Sequence, residues 1–258
     1  MKRLLKSAWM LAESTWVSRG TSRICGLCGW TGQRFLTHGA PQKRRTDARC
    51  PRCQSLERHR LAYEAVQFVS ESWMPPRPWR VLHVAPESCV EPWLRREAAS
   101  YLSIDKYGPA MKAMDLTALE LPDTSYDFIW CSHVLEHIEN DLDAMREMYR
   151  VLAPGGVLLA QVPIWREQTY EDFQLQSETE RLKAFYQRDH VRLYGLDIVM
   201  RFQDAGFETR VVHARDFGPS RVTSGGLSYL STNEVFFCRR PGKSPADRVE
   251  SQPADGHR

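Results

Sequence analysis

The chain has 258 residues, 42% of them hydrophobic, and a net charge of +3 at pH 7. That length holds one sizeable α/β core and a small accessory module, and no apolar run approaches the roughly 20 residues that a membrane-spanning helix needs. The charge is uneven: residues 1–60 carry 13 Lys or Arg against Glu13, Asp47 and Glu57, a balance of +10 that leaves −7 on the rest.

A basic front end on an acidic body predicts an anionic partner there, RNA or an acidic protein face, and a merely solvated basic surface accounts for the same charges. Met1 to Ala12 is basic, with Lys6 interrupting its apolar stretch. It reads as a short amphipathic helix, so a cytoplasmic protein with no membrane association is expected.

Cys25-Gly-Leu-Cys28 and Cys50-Pro-Arg-Cys53 are two C-x-x-C knuckles separated by 21 residues. Four thiolates on two tight turns suit tetrahedral Zn2+ in a closed structural site. Two copies at this spacing argue against a redox dithiol, and the remaining three cysteines are left unpaired by spacing. Few apolar residues lie between the knuckles, so metal binding is expected to supply the segment's stability.

Ser55 to Val69 follows as a helix with Leu61, Ala65, Phe68 and Val69 on one face. Arg58, His59 and Arg60 read as a solvated face, with contact to a phosphate or carboxylate as the alternative. Met74-Pro-Pro-Arg-Pro78 fits neither helix nor central strand and predicts a linker. The expected organisation is a basic segment at 1–24, a zinc ribbon with its helix at 25–73, a linker at 74–79, a main domain at 80–240 and a disordered tail at 241–258.

The main domain opens with a buried strand, Val81-Leu-His-Val84, closed by Pro86. A helix over 89–99 faces the sheet with Val90, Trp93 and Leu94. A second strand ends at Asp105, 20 residues beyond Ala85, the separation of a β-α-β unit that presents a carboxylate to a ribose. Tyr126 to Cys131 is the next strand, residues 141–152 a helix stopped by Pro154-Gly-Gly156, and Val157 to Val162 a further strand. Residues 163–190 are polar, aromatic and charged, and too long for an ordinary connection, which predicts an inserted lid. A helix at 196–204 and strands near 207–213 and 234–238, joined across a loop at 214–233, finish the sheet.

Five motifs stand in order: the strand and loop at 81–88, Asp105, Met114-Asp-Leu116, the block from Tyr126 to Ile138, and Arg150-Val-Leu-Ala-Pro-Gly-Gly156. With them the chain from 80 to 238 resembles a class I S-adenosylmethionine-dependent methyltransferase of the type 11 group. The resemblance implies an α/β fold with a doubly wound, mostly parallel Rossmann-like sheet. It places the loop Ala85-Pro86-Glu87 beside the methionine part of the cofactor, Asp105 on the ribose hydroxyls, Asp115 and Leu116 at the adenine, and Ser132 and His133 beside the methyl group.

The departure lies at the first strand, where the family's acid and Gly-x-Gly give way to His83 and Ala85-Pro-Glu87. Loss of glycine restricts the backbone. Glu87 would oppose a pyrophosphate but attract an ammonium or sulfonium, which weakens a dinucleotide reading.

Methyl transfer needs a base only if the accepting atom holds a proton, and His133 and His190 are the candidates. Arg192 and Tyr194 are candidates for holding the acceptor, with a polar network tying down the lid as the alternative. His133-Val-Leu-Glu-His137 also matches the H-x-x-E-H metalloprotease pattern. That pattern is set aside, because His133 belongs to a strand end rather than a helix turn. The expected activity is methyl transfer to a small-molecule or peptide-like acceptor in a lidded site. An RNA methyltransferase and a non-catalytic zinc-ribbon adaptor are the alternatives.

Overall fold

The computed structural model describes residues 20–39, 44–69 and 73–242. The expected helix at 1–12 and nearly all of the expected tail lie outside the described residues.

The two knuckles sit among short antiparallel pairs, β1 (Arg23–Cys25) with β2 (Trp30–Gly32) and β3 (Leu36–His38) with β4 (Arg45–Arg49). Helix α1 (Glu57–Phe68) follows. The central sheet is then built by β5 (Trp79–Val84), α2 (Glu91–Glu97), β6 (Ala98–Asp105), β7 (Lys112–Ala113), β8 (Tyr126–Ser132), α3 (Asp141–Val151) and β9 (Leu152–Gln161). Residues 163–190 hold β10 (Ile164–Arg166), β11 (Tyr170–Glu171) and α4 (Glu178–Phe185). The chain continues through β12 (Arg192–Gly195), α5 (Ile198–Asp204), β13 (Glu208–His213), α6 (Gly218–Gly225) and β14 (Glu234–Arg239).

The seven-stranded sheet has the order β13-β14-β9-β8-β5-β6-β7. The run from β9 to β7 is parallel, and β14 and β13 add antiparallel at one edge. Alternation along the strands assigns the two faces. Val81, Phe128, Trp130, Val157 and Phe237 point to a core shared with α1 and α2, while Leu82, Ile129, Cys131, Leu158 and Phe236 point to one shared with α3 and α5. The mostly parallel, doubly wound sheet of a Rossmann-like methyltransferase fold is therefore present.

Three expectations change. The first concerns the stretch at 74–79, which does not isolate the cysteine module. Cys25, Leu27, Trp30 and Phe35 share one hydrophobic cluster with α1 and the sheet strands.

The second concerns the face of α1. His59 and Arg60 are buried rather than solvated, whereas Phe68 is 46% exposed. Arg60 donates to the carbonyls of Ser55, Gly225 and Gly226 at 2.7–2.9 Å and stacks 3.9 Å above Phe35. Satisfied donors and an aromatic floor make burial of the guanidinium tolerable.

The third concerns 214–233, which contains α6 and not only loop. Pro219 occupies its first turn, and Gly226 ends it at φ +56°, a left-handed cap that glycine takes without strain. A Cβ at Gly226 would also come within 3 Å of Phe35 and Arg60.

Candidate active site

Ligands of open parallel sheets bind beyond the carboxyl ends of the strands. Here the ends of β5, β6 and β8 frame a cavity of about 600 Å³ lined by Ala85, Asp105, Asp115, Leu116 and His133, among others. This volume lies within the range of small-molecule sites.

The turn after β5 explains how the chain dispenses with glycine. Ala85 adopts φ +49°, the left-handed region, and its amide donates to the Ile104 carbonyl at 2.8 Å. The backbone keeps a glycine-like path with a Cβ in place, at a cost on the order of 1–2 kcal/mol.

Asp105 ends β6 and accepts from the amides of Tyr107 and Gly108 at 2.8 and 2.6 Å, both through Oδ1. Asp115 accepts from Lys106 Nζ at 2.7 Å through Oδ2, and from the amide and hydroxyl of Thr117 through Oδ1. Those bonds, Lys106 foremost, lower its pKa to about 2. The cavity thus has two carboxylates in its lining.

Pro86, Glu87 and Ser132 do not line this cavity. Glu87 turns away from it, beneath the loop: its Oε2 accepts from Trp130 Nε1 at 2.8 Å, and its Oε1 lies 3.2 Å from His59 Nε2. Burial would raise its carboxyl, but His59 and His83 outweigh that and hold it well below the usual carboxylate range. Ser132 is buried, its hydroxyl 3.5 Å from Gln161 Oε1.

A second, more open cavity of about 1240 Å³ adjoins the first. Arg45 from β4, Arg58 from α1, Trp165, Tyr186 and His190 from the segment after β9, and Tyr229 line it. His133 lines both cavities. Its φ is +56°, a strained backbone of the kind that collects at functional sites. Nδ1 faces Glu136 Oε1 at 3.1 Å, and Nε2 is buried without a hydrogen-bond partner among the described residues.

His190 is 2% exposed, and burial lowers its pKa. Glu136 is buried as well; burial would raise its carboxyl, but the hydrogen bond and charge of His133, together with His137, outweigh burial and lower it.

Arg192 and Tyr194 are fully buried in a network, not displayed in either cavity. Arg192 reaches Glu171 at 2.9 Å and the carbonyls of Leu135, Ile138 and Glu139. Tyr194 donates to Asp141 at 2.5 Å, and Arg201 binds Asp141 and Glu171. Together they pin the turn at 135–137 against β12. Sequence reasoning did not single out Tyr107, Thr117, Asn140 or Arg181, which also line the first cavity. Thr117 directly follows the Asp-Leu pair and was within reach of that motif, whereas Arg181 arrives from α4 with no local signal.

In the cysteine module, the four Sγ atoms all lie within 4.8 Å of one another. Cys25 and Cys53 are 3.7 Å apart, and Cys28 and Cys50 3.6 Å. Tetrahedral zinc with bonds of ~2.3 Å requires sulfurs ~3.8 Å apart, so the donor set fits that ion.

Residues 90–160 match the family described as a methyltransferase domain. No curated protein matches the chain. Similar solved structures include an S-adenosylmethionine-dependent methyltransferase from Mesorhizobium loti, 14% identical, covering 70% of this chain and 98% of that one with a TM-score of 0.47. Another from Aquifex aeolicus is 14% identical, with 69% and 89% covered and a TM-score of 0.45. A third is the 1,6-didemethyltoxoflavin-N1-methyltransferase of Burkholderia thailandensis with S-adenosylhomocysteine bound, 13% identical, with 72% and 76% covered and a TM-score of 0.46. At this level of similarity these structures assign neither acceptor nor partner to this chain. The matched segment runs from the residue before α2 to β9 and contains Asp105, Asp115 and His133, and it supports an enzyme that uses S-adenosylmethionine.

Proposed function

We propose that the chain transfers a methyl group from S-adenosylmethionine to a small-molecule or peptide-like acceptor carrying a negative charge. The observation that carries this reading is His133, one residue lining both the cavity that holds the two carboxylates and the charged, aromatic cavity beside it. When bound, S-adenosylmethionine supplies a methyl group already activated by its sulfonium. Asp105 would hold the ribose hydroxyls and Asp115 the adenine amine. Arg58 would hold the acceptor's anionic group, with Arg45 beside it and paired to Glu57, and Trp165 and Tyr186, whose rings lie 5.0 Å apart, a flat portion of it. His133, its Nδ1 held by Glu136, would take a proton at Nε2 where the accepting atom carries one. The lid residues would exclude water from the reacting atoms. Zinc on Cys25, Cys28, Cys50 and Cys53 would keep the module that delivers Arg45 folded.

Calorimetric titration of the full chain with S-adenosylmethionine and S-adenosylhomocysteine tests the reading. Binding should be measurable and should weaken at least tenfold in Asp105→Ala, since a lost hydrogen bond to a charged group is worth about 1.5–3 kcal/mol. No binding of either ligand by the zinc-loaded protein overturns the reading and leaves the scaffold role.

A second reading, an RNA acceptor, is favoured by one observation: arginines of β4 and α1 and aromatics of the lid line the same cavity. Phosphate contacts and base stacking need that combination. Tight, steeply salt-dependent binding of a short oligoribonucleotide, lost in Arg45→Ala/Arg58→Ala, would select it over the small-molecule reading.

A further inference from the structure

Three side chains in the wall of the second cavity have unusual surroundings. Glu136, His137 and His190 each place a ligand atom within 4.8 Å of the others. Glu136 is 1% exposed, and its Oε2 has no hydrogen-bond partner among the described residues. His190 is 2% exposed, and neither of its ring nitrogens has one. A neutral imidazole always carries one N–H and one lone pair, so burying both without partners leaves a desolvation penalty that nothing among the described residues offsets. The Glu136 carboxylate is half satisfied in the same way, His133 meeting Oε1 while Oε2 is buried and unpaired.

The pieces are also held in place. The Val191 amide donates to the Glu136 carbonyl at 3.0 Å, fixing His190 beside the turn at 135–137. His137 has its Nδ1 3.3 Å from the Asp189 carbonyl and 3.4 Å from its carboxylate, which orients the ring as outer-shell oxygens orient metal-binding histidines. The rings of His137 and His190 meet edge-on with centroids 4.8 Å apart.

We infer that Glu136, His137 and His190 form a binding site for a divalent transition-metal cation, separate from the cysteine cluster and opening on the second cavity. Two imidazoles and one carboxylate suit Zn2+ and its first-row neighbours and leave coordination positions open. The ligand set differs from the H-x-x-E-H reading, which pairs His133 with His137. Here His133 instead holds Glu136 Oε1 from behind, and the third ligand comes from 53 residues downstream. Resting on the proposed function, the site would bind an oxygen of the acceptor beside His133.

The test is a zinc count on the full chain, after dialysis against Zn2+ and desalting, with S-adenosylmethionine affinity measured on the same samples. Wild type should hold two zinc ions per chain. Glu136→Gln and His190→Ala should each hold one, with an unchanged far-UV circular dichroism spectrum and a single cooperative unfolding transition showing that the fold survives. Loss in only one of them would still need His137→Ala to hold one, and two ions there would overturn the site. One ion per chain in wild type, or two retained in both Glu136→Gln and His190→Ala, would likewise overturn it. Loss of S-adenosylmethionine binding with the second ion retained would overturn the functional reading and leave the metal site standing.

Discussion

His59 Nε2 lies 3.2 Å from Glu87 Oε1, joining the helix behind the cysteine module to the loop that follows β5. The contact is bent away from hydrogen-bond alignment, yet the tautomer favours it. Nδ1 accepts from the Leu56 amide at 3.0 Å, which puts the neutral ring's proton on Nε2.

This junction should be acid-sensitive. Burial lowers the His59 pKa, and the two histidines, against burial, hold Glu87 below its usual value. Both shifts mean that the unfolded chain binds more protons, so stability falls as pH drops, first below about 6.5 through His59 and then below about 4.5 through Glu87. Glu87→Gln should be less stable than wild type at pH 7, and the gap should close as pH falls below about 4.5. Urea midpoints from pH 3.5 to 8 measure it; a gap independent of pH would contradict the assignment. S-adenosylmethionine affinity should change far less than stability, because Glu87 does not line the cavity.

Ala85→Gly should stabilise the protein. Alanine at φ +49° costs on the order of 1–2 kcal/mol, and glycine returns about 0.5–1 kcal/mol of that to backbone entropy on folding. The expected net gain is up to about 1.5 kcal/mol, read from denaturant midpoints. A loss of stability would show that the Cβ makes contacts that matter more than the strain.

Around these two residues the sequence was informative about the backbone and silent about side-chain direction. The order and type of the sheet strands were legible because buried parallel strands are short β-branched runs ended by Pro or Gly, as Val81 to Pro86 shows. The cysteine cluster was legible because ligand spacing is local. Glu87 was not, because its direction is set by Trp130 and His59, far away in sequence. Arg60 was misread for the same reason, its carbonyl partners lying 165 and 166 residues on. Helix α4 did carry a local signal, the Ser177-Glu-Thr-Glu180 capping box, in which each residue binds the other's amide. The grouping of Glu136 and His137 with His190 is a product of tertiary packing alone.

Removing the zinc proposed for the four cysteines should unfold more than the cysteine module. Cys25, Trp30 and Phe35 belong to the same hydrophobic cluster as Trp79, Trp130 and Phe237 of the sheet, so loss of the module exposes that sheet face. Scanning calorimetry with a strong chelator, or of Cys28→Ser, should show one transition at a lower temperature. Two separated transitions, the upper one unmoved, would mean that the sheet stands without the module.

Arg192→Ala distinguishes a structural clamp from a substrate-binding residue. The guanidinium is fully buried, bonds Glu171 and three carbonyls around the 135–139 turn, and lies 3.6 Å from Asp141. Removing it takes one of two arginines from Glu171 and Asp141, Arg201 still holding both, and leaves three turn carbonyls without their donor, at a cost of about 1–3 kcal/mol. Arg192→Lys should recover little, since one ammonium cannot reproduce the fork that spans Glu171 and the carbonyls. Both variants should therefore melt well below wild type, with the second zinc ion lost as the turn loosens. A variant with wild-type stability and only a weakened acceptor affinity would instead return Arg192 to the substrate site.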